Sequence, residues 1–316
     1  MKLSKKILIP VITTAATCGA IIPASISCAQ ESKPEDLINK NFFGAYAYER
    51  SSFTLTCDKT EIKPDLSYSF DGKKWEKYQY DLEIRIEKGS YFYLKGQNPD
   101  GWNYNLQDKK CQPNPIMFTG SIAIGGNVMS LLNNGKESAV DKQTIPCAHC
   151  FDNLFGNLKS TSSFNNDAIK WVSPNFLPAV NLQDGCYEGM FAGCRQLTNT
   201  PKLPASILKN GCYKNMFQNC ELIEKAPDLM AKTLVNQCYE NMFNGCKKLN
   251  YIKIGFAKDF AEHASPSSEY DRFAKDWVKE VNVAGTFYYK PEAPEYKQKG
   301  RDIGAIPAQW RINDNW

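Results

Sequence analysis

The most regular feature of the chain is a pattern of apolar positions that recurs every 26 residues. Three segments align under it: 185–194 (GCYEGMFAGC), 211–220 (GCYKNMFQNC) and 237–246 (QCYENMFNGC). A period in the twenties is typical of stacked repeats, in which equivalent positions face one core. The positions predicted to form that core are Cys186, Met190, Phe191, Cys194, Leu197, Cys212, Met216, Phe217, Cys220, Ile223, Cys238, Met242, Phe243, Cys246 and Leu249.

A weaker copy of the pattern lies upstream. Residues 150–155 (CFDNLF) repeat the block with leucine in place of methionine, and His149 precedes Gly185 by 36 residues rather than 26. The extra residues indicate a loop in the first copy. We therefore expect about four repeats within residues 147–262.

Each repeat is predicted to contain a short helix and an extended segment. Cys186 and Met190 are four residues apart, as are Tyr187 and Phe191, which would give a helix one apolar face. Residue types that cap helices stand at both ends: Asp184, Asn210 and Asn236 at the start, and Gly193, Asn219 and Gly245 at the end. Proline and alternating apolar residues follow, which favours a strand.

The flanking regions show different patterns. Residues 41–140 contain strand-like stretches separated by turn signals such as Asp71-Gly72, which predicts a small antiparallel β-domain resembling a sandwich. Residues 263–316 begin with apolar residues at helical spacing and are predicted to be a helix with capping strands. The expected fold class is α+β: the β-domain, then a short leucine-rich-repeat-type solenoid, then a C-terminal cap.

The N-terminus has the pattern of an export signal. Lys2, Lys5 and Lys6 precede a mostly apolar run over residues 7–22, and small residues follow it. Residues 25–28 (SISC) resemble a lipobox, so residues 1–27 are predicted to be removed and Cys28 to be lipidated. Ordinary cleavage after Ala29 is the alternative. Residues 28–40 are polar and would form a tether.

Composition and charge narrow the function classes. Hydrophobic residues make up 42% and charged residues 23% of the 316-residue chain, a composition typical of a folded protein. Removal of the three signal lysines lowers the formal charge from +4 to 4 − 3 = +1. A nearly neutral chain has no electrostatic basis for binding nucleic acid. The expected location is the cell surface, anchored by lipid, with a secreted or periplasmic protein as the alternative.

These motifs carry a family resemblance. The pattern CYxxMFxxC followed by LxxxPxLPA resembles the repeat of BspA-type leucine-rich repeat surface proteins of host-associated bacteria. Residues 66–75 (LSYSFDGKKW), 89–96 (GSYFYLKG) and 284–287 (AGTF) are similar to the segments that flank such repeats. The resemblance implies a cell-surface location and a role in adhesion or binding. It does not identify a ligand.

The cysteines and histidines offer little for catalysis. The repeat cysteines fall in two columns, so they are interpreted as buried thiols, with a ladder of disulfides as the alternative. Cys147-Ala-His149-Cys150 has redox or metal-binding spacing, but Cys150 also belongs to a repeat column. With only two histidines in the chain, we expect no catalytic site, no cofactor and no metal.

The remaining hypothesis is surface binding. Asn199, Lys225 and Tyr251 share one column of the extended segments, and Lys202 and Asp228 share another. In stacked repeats such columns form a continuous face for large partners. The predicted function is adhesion or host-protein interaction through a protein or glycan ligand. The alternative is an accessory envelope lipoprotein that binds glycan or assembles with other surface proteins.

Overall fold

The computed structural model describes residues 38–55, 63–105, 110–111, 113–136, 143–156, 166–255, 273–289 and 306–315. The predicted signal at 1–27, the lipidation site Cys28 and the tether up to residue 37 lie outside these residues. Among the described residues, no helix is long and apolar enough to cross a membrane.

Strands dominate the described part of the chain. In order they are β1 (Phe43–Ala47), β2 (Ser51–Leu55), β3 (Ser67–Ser69), β4 (Glu76–Lys77), β5 (Ile84–Ile86), β6 (Tyr91–Lys95), β7 (Tyr104–Asn105), β8 (Lys110–Cys111), β9 (Ile116–Thr119), β10 (Ile122–Gly126), β11 (Ile169–Val172), β12 (Tyr251–Lys253), β13 (Thr286–Tyr288) and β14 (Arg311–Asn313). The helix bounded within the same residues, α1 (Ser130–Asn133), has only four residues.

Two sheets face each other in the N-terminal part. One has six strands in the order β11-β10-β1-β6-β3-β4, and the other has three in the order β5-β2-β9. Aromatic rings fill the space between them: Phe53 lies 5.1 Å from Phe92, and Phe43 lies 6.4 Å from Phe118. Strand β11 comes from the repeat region and pairs with β10 in parallel, so one sheet spans both parts of the chain.

The repeats contain turns instead of helices. Within residues 185–193, every fourth residue has a positive φ, between 59° and 79°. These residues are Gly185, Gly189 and Gly193. An α-helix cannot continue through such residues, because its φ is near −63° throughout. The intervening amides of residues 186–194 donate to carbonyls three residues back, which closes a series of tight turns.

The turn segments stack on one another through a regular set of backbone hydrogen bonds. Every second amide from Gly185 to Gly193 donates to a carbonyl of residues 210–218, at 2.8–3.1 Å. The same pattern links each described segment to the next one along the chain. We call this stack the turn ladder; its segments are residues 149–155, 185–194, 211–220, 237–246 and 273–280.

Both ends of the turn ladder meet other elements. At its N-terminal end, Asn103 donates from its backbone to the Cys150 carbonyl (3.2 Å) and from its side chain to the Asp152 carbonyl (2.9 Å), while Ile116 donates to the Leu154 carbonyl (2.7 Å). Near the other end, β12, β13 and β14 form a parallel sheet. The last segment includes residues 275–280, which form turns where a helix was predicted.

The predicted α+β fold with a leucine-rich-repeat-type solenoid is therefore wrong. Strand is the main regular secondary structure of the described residues, at 24% against 3% helix, and it forms three sheets of three or more strands and the two-stranded ribbon β7-β8. The described residues contain no solenoid of alternating helices and strands, because left-handed residues at every fourth position prevent the helices.

Candidate functional site

The fifteen residues predicted to form the repeat core are all fully buried, at 0% exposure. Their aromatic members stack in a column: Phe191 lies 5.6 Å from Phe217, and Phe217 lies 5.7 Å from Phe243, with nearly parallel rings. A second column joins Phe151 and three tyrosines with centroids 6.1 Å apart. These positions support the fold and are not accessible to a ligand.

The repeat cysteines are buried, unbridged thiols. Cys220 donates its Sγ hydrogen to the Phe191 carbonyl at 3.1 Å, and Cys246 donates to the Phe217 carbonyl at 3.0 Å. Loss of hydration on burial raises the pKa of the Cys186 and Cys238 thiols to about 12. A thiol held protonated in this way is a poor nucleophile, so these columns offer no redox chemistry.

Two of the five predicted binding residues make hydrogen bonds to the preceding repeat. The Asn199 side chain accepts a hydrogen bond from the Val172 amide (3.0 Å) and donates one to the Val172 carbonyl (2.8 Å), which completes the edge of β11. Lys202 is exposed, and its backbone amide donates to the Pro174 carbonyl. Asn199 therefore supports the fold at this position, and the side chain of Lys202 faces solvent.

The other three predicted binding residues lie together. The Lys225 ammonium is 4.6 Å from the centre of the Tyr251 ring, and the Tyr251 ring is 4.9 Å from that of Tyr288 on the neighbouring strand. Partial burial, with added repulsion from the Asp228 carboxylate, raises the pKa of Tyr251. Tyr288 was missed in the sequence because it lies outside the 26-residue period.

Strand alternation places further side chains on the same surface. Ile252 and Phe287 point into the core, so their neighbours along β12 and β13 point outward. Arg311 on β14 is exposed beside them. We define the C-terminal face as the surface formed by Lys225, Asp228, Tyr251, Lys253, Tyr288 and Arg311. It combines an aromatic pair with charged residues of both signs.

A second group of functional side chains lies at the start of the turn ladder. The Nδ1 atom of His149 is 3.7 Å from a carboxylate oxygen of Asp152 and 3.6 Å from one of Glu188. One ligand atom from each of the three residues lies within 4.8 Å of the others. Asp152 is almost entirely buried, whereas His149 is about half exposed, at 44% of its side chain.

The sequence pattern did not predict this group. Asp152 and Glu188 occupy equivalent positions in the first two segments, but the 36-residue spacing of the first copy obscures that relationship. His149 was considered only as part of the Cys147–Cys150 motif.

Neither a family model, nor a curated protein, nor a solved structure matches this chain.

Proposed function

We propose that this chain is an exported cell-surface protein of the BspA type that binds a protein partner through its C-terminal face. The observation that carries the proposal is the packing of Tyr288 on Tyr251, with the Lys225 ammonium on the Tyr251 ring. Tyrosine and arginine are enriched among the residues that dominate binding at protein interfaces, and this face presents Tyr251, Tyr288 and Arg311. The proposal keeps the surface location that the sequence resemblance implies, without its leucine-rich fold.

The chemistry of the C-terminal face favours a protein as the partner. Asp228 and Lys225 supply charges of opposite sign within one small surface, which suits the irregular charge pattern of another protein. Lys253 and Arg311 add cations at the rim of the tyrosine pair. The formal charge of +1 expected after export gives no general attraction to polyanions, so specificity would come from these contacts.

The location is tested on whole cells. External protease should digest the intact protein, and a lipid precursor should label it at Cys28. The variant Cys28→Ala should lose both the label and the membrane fraction. Protection from protease would place the protein in the periplasm and remove the basis for a role in adhesion.

Binding is tested with the whole chain on immobilised host extracellular-matrix proteins. Saturable binding that falls at least about thirtyfold in Tyr288→Ala supports the proposal, since anchor residues at interfaces contribute about 2 kcal/mol or more. Tyr91→Ala is the matched control, because Tyr91 forms a similar pair with Tyr46, with 5.2 Å between the ring centroids, on the six-stranded sheet. Absence of host binding, with co-purification in an envelope complex, would favour an accessory envelope lipoprotein instead.

A further inference from the structure

We propose that His149, Asp152 and Glu188 bind a divalent transition-metal ion at the start of the turn ladder. This inference revises the expectation, drawn from the sequence, that the chain has no metal site. It does not depend on the proposed binding function, because the three residues lie in a different part of the fold from the C-terminal face.

The distances between the three side chains fit ligands of one ion. The separations of 3.7 Å and 3.6 Å from His149 Nδ1 to the two carboxylates are too long for hydrogen bonds. Zinc bonds of about 2.0–2.2 Å place two tetrahedral ligands about 3.4 Å apart. The two distances from His149 therefore lie within about 0.3 Å of the separation in a zinc site, and the three ligand atoms, all within 4.8 Å of one another, would move closer together around a bound ion.

The burial of Asp152 would strengthen the binding of a cation. Its side chain is only 3% exposed, so a metal ion held there would interact with the carboxylate where water screens the attraction little. Glu188 follows it in the same column of the turn ladder, so two carboxylates lie on adjacent segments. The next pair in that column differs: Lys214 neutralises Glu240 at 3.2 Å.

Neighbouring residues contact two of the three ligands, Asp152 and His149. The Asn153 side-chain amide donates to the second carboxylate oxygen of Asp152, and the Asn103 side chain donates to the His149 carbonyl at 3.0 Å. Gly185 lies beneath the imidazole, where an added Cβ would be 2.3 Å from His149 Cε1. In metal sites, contacts between the ligand residues and their neighbours orient the ligands and raise the affinity for the metal.

The ligand set indicates the class of metal. One imidazole nitrogen and two carboxylate oxygens suit zinc, manganese or iron(II) better than a purely oxygen-preferring ion such as calcium. Three protein ligands leave at least one position for water. His149 and Glu188 are partly exposed, at 44% and 20% of their side chains, so the site lies close to solvent, while the Nδ1 ligand atom itself is buried.

The test uses the whole reduced chain, titrated with zinc sulfate and followed by calorimetry and thermal unfolding. Wild type should bind zinc saturably and melt at a higher temperature. Glu188→Gln and His149→Asn should each weaken binding at least about tenfold, because loss of even an outer-shell partner of a metal ligand costs about 10–100-fold in affinity. Asparagine suits position 149 because that residue has a φ of 52°, a backbone conformation that asparagine tolerates.

Two control variants distinguish this site from other places in the chain where zinc could bind. Glu240→Gln removes the equivalent carboxylate two segments later and should leave zinc affinity unchanged. Cys147→Ser should also have no effect, whereas a site built from the Cys147–Cys150 motif would lose its zinc. The proposal is overturned if wild type does not bind zinc saturably, if both ligand variants bind it as wild type does, or if Cys147→Ser alone abolishes binding.

Discussion

The ring of Phe217 lies parallel to that of Phe243, with 5.7 Å between the centroids and 1° between the planes. The two residues are 26 positions apart in the chain, so equivalent positions of consecutive repeats pack directly against each other. Phe217 also contacts Phe191 in the same column, at 5.6 Å. A residue in the middle of the column supports the segment on each side.

Replacement of that residue should therefore destabilise the whole fold. We expect Phe217→Ala to lower the free energy of unfolding by about 3–5 kcal/mol, because it leaves a cavity where the structure has little room to collapse. Urea denaturation monitored by fluorescence measures the change. Ile207→Ala is the control, since Ile207 is 74% exposed and its truncation should change stability by less than about 0.5 kcal/mol.

The backbone of the turn segments gives a second prediction. Gly189 has a φ of 59°, and alanine in that conformation is strained by about 1–2 kcal/mol. Gly189→Ala should lower the melting temperature, whereas Asn215→Gly should change it little, because residue 215 has a φ of 56° that glycine adopts without strain. Equal melting temperatures for Gly189→Ala and wild type would contradict the role assigned to the left-handed residues.

Asn199 provides a third prediction, which distinguishes a role in stability from a role in partner binding. Asn199→Ala would leave the amide and carbonyl of Val172 without their side-chain partners, at a cost of about 1–3 kcal/mol. Lys202→Ala should leave the melting temperature unchanged. If Asn199→Ala instead weakens partner binding with no loss of stability, the residue belongs to the binding surface after all.

The buried thiols predict a loss of stability in alkali. The pKa of Cys186 and Cys238 is raised from 9.0 to about 12 in the folded protein, so the folded state retains protons that the unfolded state releases. The stabilising effect is complete below pH 9 and is lost as the pH rises towards 12. Each thiol should lower the free energy of unfolding by about 1.4 kcal/mol per pH unit across that range.

Denaturant titrations between pH 8 and pH 11 measure this dependence. The double variant Cys186→Ala, Cys238→Ala should show a shallower decline with pH than wild type, whatever its stability at pH 8. A stability that stays constant from pH 8 to pH 11 would show that these thiols ionise as easily in the folded state as in the unfolded one.

The repeat core could be predicted from the sequence because its period fixes which residues are equivalent. The local conformation could not, since a turn of four residues and a helix of 3.6 residues per turn both bring positions four apart to one side. Cys186 and Met190 satisfy either geometry. The distinguishing signal is the glycine or asparagine that occupies most of the fourth positions, including Gly189, and we interpreted only the last of them in each segment as a helix end.

The candidate sites were less predictable because they depend on contacts outside the period. Tyr288 reaches Tyr251 only through the parallel pairing of β12 with β13. His149 approaches Glu188 because the first and second turn segments are adjacent despite the longer spacing between them. Pairings between distant segments are set by the assembled fold and leave no periodic trace in the chain.

The hydrogen bonds of the turn ladder all run in one direction, from each segment to the one that follows. The stack is therefore polar, with a row of acceptors at its N-terminal end, and Asn103 and Ile116 occupy carbonyls in that row. An uncovered row would be a template on which the donors of a second molecule could dock, as exposed sheet edges do in fibrils. By occupying these carbonyls, Asn103 and Ile116 cover the acceptors that head-to-tail polymerisation at this end would need.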